Sequence, residues 1–462
     1  MDGEDRLPAA LRSAPRRFRL PALPATPEAA RAAGPTTVIA VELERLRWAP
    51  GPDAAADPDA RTRFTRALAA MIAAAMDPAR GDPLHRARVL RMHDPVVAEW
   101  AALAVGVDGD LRRVRRRVDG IAHPARLEGM PAGPLRSTLE KFSPAADRGD
   151  WPALRVLAAQ ALAPAASTDP PRHALLDRLL ADPALARLEH ARALRDDPAV
   201  RHHEALVERA GRRAGSDEAT QAGRLAARRG DDAEAEVARA FSTLAGWLDA
   251  AAPGAARHRV ARGLRTPAAL QAARKVKAEW DVALLREHAD RAEGADIVLL
   301  AEVKATPSAA VADRPRLLRG LSMLAEAGGD RSWRFASSGG PVDIAGHALR
   351  RLAPADHVPP PHVLYCCPLA AEARPPAPLG PAARACLLAE PASLAFAWRL
   401  SRGEPAPDAG ELREVWEAAA AAPRLAPLRA QHETARQVRE AMLHPDDLLR
   451  AVARALDRPD GA

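Results

Sequence analysis

Three residues in the second half of the chain have the types and spacing to bind a divalent cation and act on water. Asp281 and Glu302 interrupt or border apolar runs, where an unpaired charge is costly. Two carboxylates held close together raise each other's pKa unless a cation neutralises them, and hard oxygen ligands suit Mg²⁺ or Mn²⁺. Lys304 follows Glu302 by two residues. Its ammonium could orient or help deprotonate the attacking water and could stabilise charge in the transition state.

Whether the three side chains lie close together depends on the strands that carry them. Side chains of a strand alternate between its two faces. Over residues 277–285 this alternation separates a charged face from an apolar one: Lys277, Glu279 and Asp281 against Trp280, Val282 and Leu284. Over residues 296–306 it separates Glu302 and Lys304 from Ile297, Leu299, Ala301 and Val303. The pattern therefore predicts two neighbouring strands that each present a carboxylate, with an ammonium beside one of them.

These two segments resemble the D-x(n)-E-x-K signature of PD-(D/E)XK nucleases. The first segment reads Glu-Trp-Asp281-Val-Ala-Leu-Leu and the second reads Leu-Leu-Ala-Glu302-Val-Lys304. That family has a helix–strand–strand–strand–helix–strand core, and the order of elements predicted from 232 to 367 is similar. The resemblance covers residues of about 230–370 and implies that Asp281 and Glu302 bind Mg²⁺ or Mn²⁺ and that Lys304 is the catalytic lysine.

Many members of that family carry a further glutamate on the first core helix. Glu234 fits this role best, because it precedes Val237 and Phe241 by three and seven residues and so shares their packed helical face. Glu236 is the alternative. The resemblance therefore implies a fourth catalytic residue at Glu234.

Four segments are predicted along the chain. They are a Pro/Arg-rich arm over 1–35, a mainly α-helical domain over 36–225, an α/β domain over 226–400 and C-terminal helices over 401–462. Strands interleaved with helices, among them helices predicted over 267–276 and 314–327, indicate a mixed sheet flanked by helices, of the PD-(D/E)XK type, in the third segment. In the second, five of the Asp-Pro pairs predict helix starts, because aspartate caps a helix and proline suits its first residue: Asp77, Asp82, Asp94, Asp182 and Asp197.

Composition limits the class of protein and its partners. The net charge of +7 suits a polyanionic partner, although the lysine-poor, arginine-rich composition also follows from a GC-rich coding sequence. Only four of the 67 basic residues are lysines, and three of these fall within thirty residues, which makes Lys304 more informative. Three cysteines argue for a reducing compartment, and no apolar run reaches the roughly 20 residues of a membrane span. A cytoplasmic protein without a membrane segment is predicted.

The sequence thus predicts a metal-dependent nuclease that hydrolyses phosphodiester bonds of DNA or RNA. Nucleic acid is its expected partner, and Mg²⁺ or Mn²⁺ its expected cofactor. The alternative is a non-catalytic helical interaction or nucleic-acid-binding protein with an inactive PD-(D/E)XK-like module.

Overall fold

Aspartate followed by proline begins four of the five predicted helices. Asp82, Asp94, Asp182 and Asp197 each accept hydrogen bonds from backbone N–H groups of the first helical turn, and proline follows each of them. The prediction is wrong at Asp77, whose carboxylate instead caps a turn by accepting from the N–H groups of residues 79 and 80. A new helix begins at residue 83, so the intervening residues are too few for another.

The computed structural model describes residues 3–48, 56–163, 169–211, 217–254, 257–270, 277–288, 294–327, 329, 331–370, 376–403 and 407–457. The helices up to residue 211 are α1 (Gly3–Ser13), α2 (Pro27–Ala33), α3 (Pro35–Trp48), α4 (Pro58–Met76), α5 (Pro83–His93), α6 (Pro95–Ala104), α7 (Val107–Ala122), α8 (Pro124–Glu128), α9 (Pro134–Leu139), α10 (Phe142–Asp147), α11 (Trp151–Leu162), α12 (Pro170–Leu180), α13 (Pro183–Arg195) and α14 (Pro198–Ala210).

Strands and helices alternate in the rest of the chain. In order, these elements are α15 (Asp217–Ala251), β1 (Arg257–Arg265), β2 (Glu279–Glu287), β3 (Asp296–Val303), α16 (Pro307–Glu326), β4 (Ser332–Phe335), β5 (Val342–Ala345), α17 (Gly346–Arg350), β6 (Val363–Cys366), α18 (Pro381–Leu388), α19 (Pro391–Ser401), α20 (Arg413–Ala421), α21 (Ala426–Arg429), α22 (Gln431–Glu440), β7 (Met442–Leu443) and α23 (Pro445–Ala455). Short 3₁₀ turns lie at Ala268–Leu270, Ala409–Leu412 and Pro423–Leu425. A helix predicted over 267–276 is described only up to residue 270, where it is the first of these turns.

The chain forms two compact units. One comprises residues 1–68, 213–384 and 416–462, and the other comprises residues 69–212 and 385–415. In the first unit, the strand order is β1-β2-β3-β6-β7, with β1–β2 and β2–β3 antiparallel and β3–β6 and β6–β7 parallel. Strands β4 and β5 form a separate antiparallel pair. The fold is therefore a mixed α/β fold with helices around a mixed sheet.

Helices cover both faces of this sheet. On one face, α15 and α23 pack through Phe241 and Leu448 against Val282 and Leu299. On the other, α16 packs through Leu321 against Trp280 and its neighbours. Trp280 was expected on the same face as Val282, but its indole lies with the α16 layer and donates a hydrogen bond to the Thr266 hydroxyl. The apolar positions of the central strands are buried on both faces.

Both ends of the chain contribute to these layers, so the two units do not follow the four predicted segments. Leu7 and Leu11 of α1 join the layer of α15, and Phe18 is 1% exposed in the layer of α16. Leu448 of the C-terminal α23 is fully buried in the layer of α15. A five-stranded sheet with two apolar faces needs more helical cover than residues 226–400 supply.

The helical unit has a core of its own. Phe142, Leu154 and Leu185 are fully buried in it. Two arginines of the basic helix α7, Arg113 and Arg117, pair with the buried carboxylate of Asp182. These two guanidinium groups therefore stabilise the unit itself. In the part of the chain that the structure describes, no helix combines the length and the apolar character needed to cross a membrane.

Candidate active site

Pairing of β2 with β3 brings Asp281 and Glu302 side by side. Val282 pairs with Ala301, and Ala283 pairs with Leu300. Continuing this antiparallel register by one residue sets Asp281 opposite Glu302. Ala283 and Leu300 both face the layer of α16. Because side chains alternate along a strand, the two carboxylates face that layer as well. The predicted juxtaposition of Asp281 and Glu302 is present.

Asp281 completes the hydrogen bonding of β3 at this point. Its Oδ2 atom accepts a hydrogen bond of 2.7 Å from the backbone N–H of Val303, beyond the last paired residue. Its Oδ1 atom lies 3.8 Å from the ammonium of Lys277. One oxygen is thus fixed by the backbone, while the other is only loosely paired.

Glu302 is almost completely buried, at 2% exposure. Lys304 donates a hydrogen bond of 2.6 Å to its Oε1 atom, and the ammonium of Lys277 lies 2.5 Å from Oε2. Burial, followed by the negative charge of Asp281, raises the pKa of Glu302 to about 7 although both lysines lower it. The contact between Lys277 and Oε2 is close but lacks hydrogen-bond geometry in the described structure.

Lys304 is held between two carboxylates. Its ammonium lies 3.3 Å from Asp313 Oδ2, in addition to its bond to Glu302. Burial alone would lower the pKa of Lys304, but Glu302 and then Asp313 outweigh it and raise the pKa above its usual value. Lys304 therefore carries its proton at neutral pH. The arrangement suits a cation that orients water and stabilises negative charge better than one that accepts a proton.

Asp313 was not predicted as part of this site. It lies on α16, which begins at Pro307 rather than at the predicted Arg314. Burial alone would raise its pKa, but the charge of Lys304 and a hydrogen bond with Glu302 lower it overall. Asp313 thus stays ionised while Glu302 takes up a proton more readily.

Lys277 is the second residue whose role the sequence did not reveal. It lies just before β2, is 5% exposed, and pairs with Asp281 and Glu302. Its ammonium also lies 5.4 Å from the centre of the Trp280 ring. Two features of the sequence could have indicated this role: Lys277 lies four residues before Asp281, and the chain has only four lysines.

Glu234 lies near the same cluster on α15. Burial, followed by the negative charge of Asp281, raises the pKa of Glu234. The carboxylate of Glu234 is therefore close enough to interact with that of Asp281. Glu236, the alternative, is also half-buried on this helix. Val237 and Phe241 of α15 are fully buried against the sheet, as their spacing predicted.

The oxygen atoms of Asp281 and Glu302 fit a small hard cation. Mg²⁺ is commonly held by one or two carboxylates and completes its shell with water. Glu302 Oε2 has no aligned donor in the described structure, Asp281 Oδ1 is only loosely paired, and the Lys277 ammonium lies near both oxygens. Within the described ranges, no group of three or more His, Cys, Asp and Glu side chains is arranged to hold a metal ion. The fit is thus to a two-carboxylate site, and Lys277 must move for a cation to enter.

No protein-family model matches the chain, and neither a curated protein nor a solved structure matches it. The chemistry of this cluster must be interpreted from its own residues.

Proposed function

We propose that the protein is a metal-dependent nuclease that hydrolyses phosphodiester bonds of DNA or RNA at Asp281, Glu302 and Lys304. The observation that carries this proposal is the placement of two carboxylates on adjacent strands, facing the same helix, with Lys304 bonded to one of them. Glu302 is only 2% exposed, whereas a carboxylate in an ordinary surface ion pair would be in contact with solvent.

The order of elements supports the same proposal. Helix α15, strands β1, β2 and β3, helix α16 and strand β6 occur in this order along the chain, with β4, β5 and α17 inserted between α16 and β6. This is the helix–strand–strand–strand–helix–strand order of the PD-(D/E)XK core, with Asp281 on the second strand and Glu302 on the third.

Each residue of the cluster has a distinct proposed role. Asp281 and Glu302 would hold Mg²⁺ or Mn²⁺, and the chemistry such an ion supplies when bound is activation of water and neutralisation of phosphate charge. Lys304, protonated and fixed by Glu302 and Asp313, donates hydrogen bonds to the attacking water or a phosphate oxygen. Glu234 contributes further negative charge beside Asp281.

The test is a cleavage panel with Mg²⁺ or Mn²⁺ on single-stranded and duplex DNA and RNA. Asp281→Asn, Glu302→Gln and Lys304→Met should each lower the cleavage rate by about a hundredfold or more, since each removes a charge that acts in the transition state. Far-ultraviolet circular dichroism and the melting temperature check that the variants fold.

A matched control is available on the same strand. Glu279 lies two residues before Asp281, and its side chain is 53% exposed. Glu279→Gln makes the same carboxylate-to-amide change outside the cluster and should leave cleavage unchanged. Wild-type rates in all three site variants would overturn the assignment.

One observation favours a second candidate, a non-catalytic nucleic-acid-binding or interaction protein. Lys277 and Lys304 both contact Glu302, so the cluster can also be a closed ion-pair network that stabilises the fold. In that case the wild-type protein cleaves nothing on the panel and binds no Mn²⁺ at this site.

A further inference from the structure

A cavity of about 140 Å³ lies under helix α1, beside strand β6. Its walls include Arg12, Arg16, Arg314 and Tyr365, together with apolar side chains and the prolines at 359–361. Among the described residues that line it, none is acidic. Three guanidinium groups and no carboxylate on its walls favour an anionic ligand over a cationic one.

Arg16 is only partly paired within this cavity. Its Nη2 atom donates a hydrogen bond of 2.7 Å to the carbonyl of Leu11. Its Nη1 atom is buried and meets no acceptor in the described structure. Burial, followed by the charge of Arg19, lowers the pKa of Arg16 despite an opposing effect of Glu440. A buried guanidinium nitrogen without an acceptor is destabilising unless an anion meets it.

Tyr365 presents a second unpaired group on the same wall. The residue is 2% exposed, and its hydroxyl is buried without a hydrogen-bond partner among the described residues. A phenol keeps its proton at neutral pH, so Tyr365 can donate a hydrogen bond to an anion.

Arg314 is already fixed in position at this cavity. Its Nη2 atom donates 2.8 Å to the carbonyl of His357 and also contacts the side-chain oxygen of Gln437. Arg12 is exposed and can approach from solvent. The cavity thus has a fixed guanidinium group in Arg314, an exposed one in Arg12, and a third, Arg16, between apolar walls. Such a site can hold a ligand with a charged group and an apolar body.

We propose that this cavity binds a small organic anion, a carboxylate or phosphate monoester whose compact apolar body packs against the proline wall. Its volume is close to the roughly 150 Å³ of an engineered apolar cavity that takes up benzene. The proposal stands on residues of the cavity and is independent of nuclease activity. Tyr365 pairs with Glu302 across β3 and β6, so the anion site borders the candidate active site.

The test is titration calorimetry of the full chain, in chelator, with benzoate, phenyl phosphate and inorganic phosphate. At least one of benzoate and phenyl phosphate should bind and raise the melting temperature. The difference in affinity between these two ligands tells whether the cavity prefers a carboxylate or a phosphate. Arg16→Gln and Tyr365→Phe should each weaken binding about tenfold or more, because each removes a donor to the anion. Arg319→Gln, the same change at an exposed residue of α16 outside the cavity, should have no effect.

Tyr365→Phe separates binding from folding. It removes a buried hydroxyl that has no partner, so the ligand-free variant should melt at the wild-type temperature or higher. Loss of binding in a variant of undiminished stability supports the proposal. The proposal is overturned if neither benzoate nor phenyl phosphate binds, or if inorganic phosphate binds as tightly as the better of these two ligands. It is also overturned if both cavity variants bind with the wild-type affinity.

Discussion

At the residue scale, Lys277 competes with any cation for Asp281 and Glu302. Its ammonium lies 2.5 Å from Glu302 Oε2 and 3.8 Å from Asp281 Oδ1. We therefore predict that Lys277→Met, which keeps the length of the side chain but removes its charge, tightens Mn²⁺ binding by about tenfold. Titration calorimetry measures the affinity. Lys141→Met, at an exposed lysine outside the cluster, is the control. Unchanged Mn²⁺ affinity in a folded Lys277→Met protein would contradict competition at this position.

The proton on Glu302 gives a second prediction at this scale. Its pKa is raised from 4.5 to about 7 in the folded protein, chiefly by burial. Between these two values the folded state binds more protons than the unfolded state, so stability falls as pH rises through this window. The loss is up to about 3 kcal/mol, at about 1.4 kcal/mol for each unit of pKa.

Urea denaturation in chelator, from about pH 5 to about pH 8, measures this effect. Glu302→Gln has no proton to release at this position, so its stability should decline less over the same interval. Parallel profiles for the two proteins would show that the folded pKa of Glu302 is not raised.

At the scale of elements, Gly320 sets the approach of α16 to the start of β2. A Cβ atom at this position would lie 2.9 Å from Lys277 Cβ and 3.1 Å from a ring carbon of Trp280. We predict that Gly320→Ala destabilises the protein by about 1–2 kcal/mol, because overpacking exceeds the roughly 1 kcal/mol that alanine contributes to a helix. Gly246→Ala on α15, where nothing lies within 4 Å, should instead stabilise it. A gain of stability at both positions would mean that α16 is free to shift.

The sequence predicted the strands better than the helix that completes the site. Alternation of apolar residues identified β2 and β3 within a few residues, and it correctly brought Asp281 beside Glu302. The start of α16 was placed at Arg314, yet the helix begins at Pro307 and continues through Pro315. Asp313 therefore lay outside the predicted helix, and its contact with Lys304 was not predicted. Such contacts depend on how a helix packs across a sheet, which local spacing does not encode.

At the scale of the whole molecule, the N-terminal segment is part of the α/β core. Phe18 is 1% exposed in the same cluster as Trp280, and Arg439 donates a hydrogen bond of 3.2 Å to its carbonyl. The neighbouring Arg17 pairs with Asp447 at the start of α23, with an Nη2–Oδ1 distance of 2.9 Å. These contacts join residues more than 400 positions apart in sequence.

We therefore predict that Phe18→Ala lowers the free energy of unfolding by about 3–5 kcal/mol, the range for truncating a buried phenylalanine. Urea denaturation measures the change. Trp48→Ala, at a side chain that is 75% exposed, should have an effect below about 1 kcal/mol. Equal, small effects of the two substitutions would instead mean that residues 1–35 behave as the separate Pro/Arg-rich arm that their composition suggests.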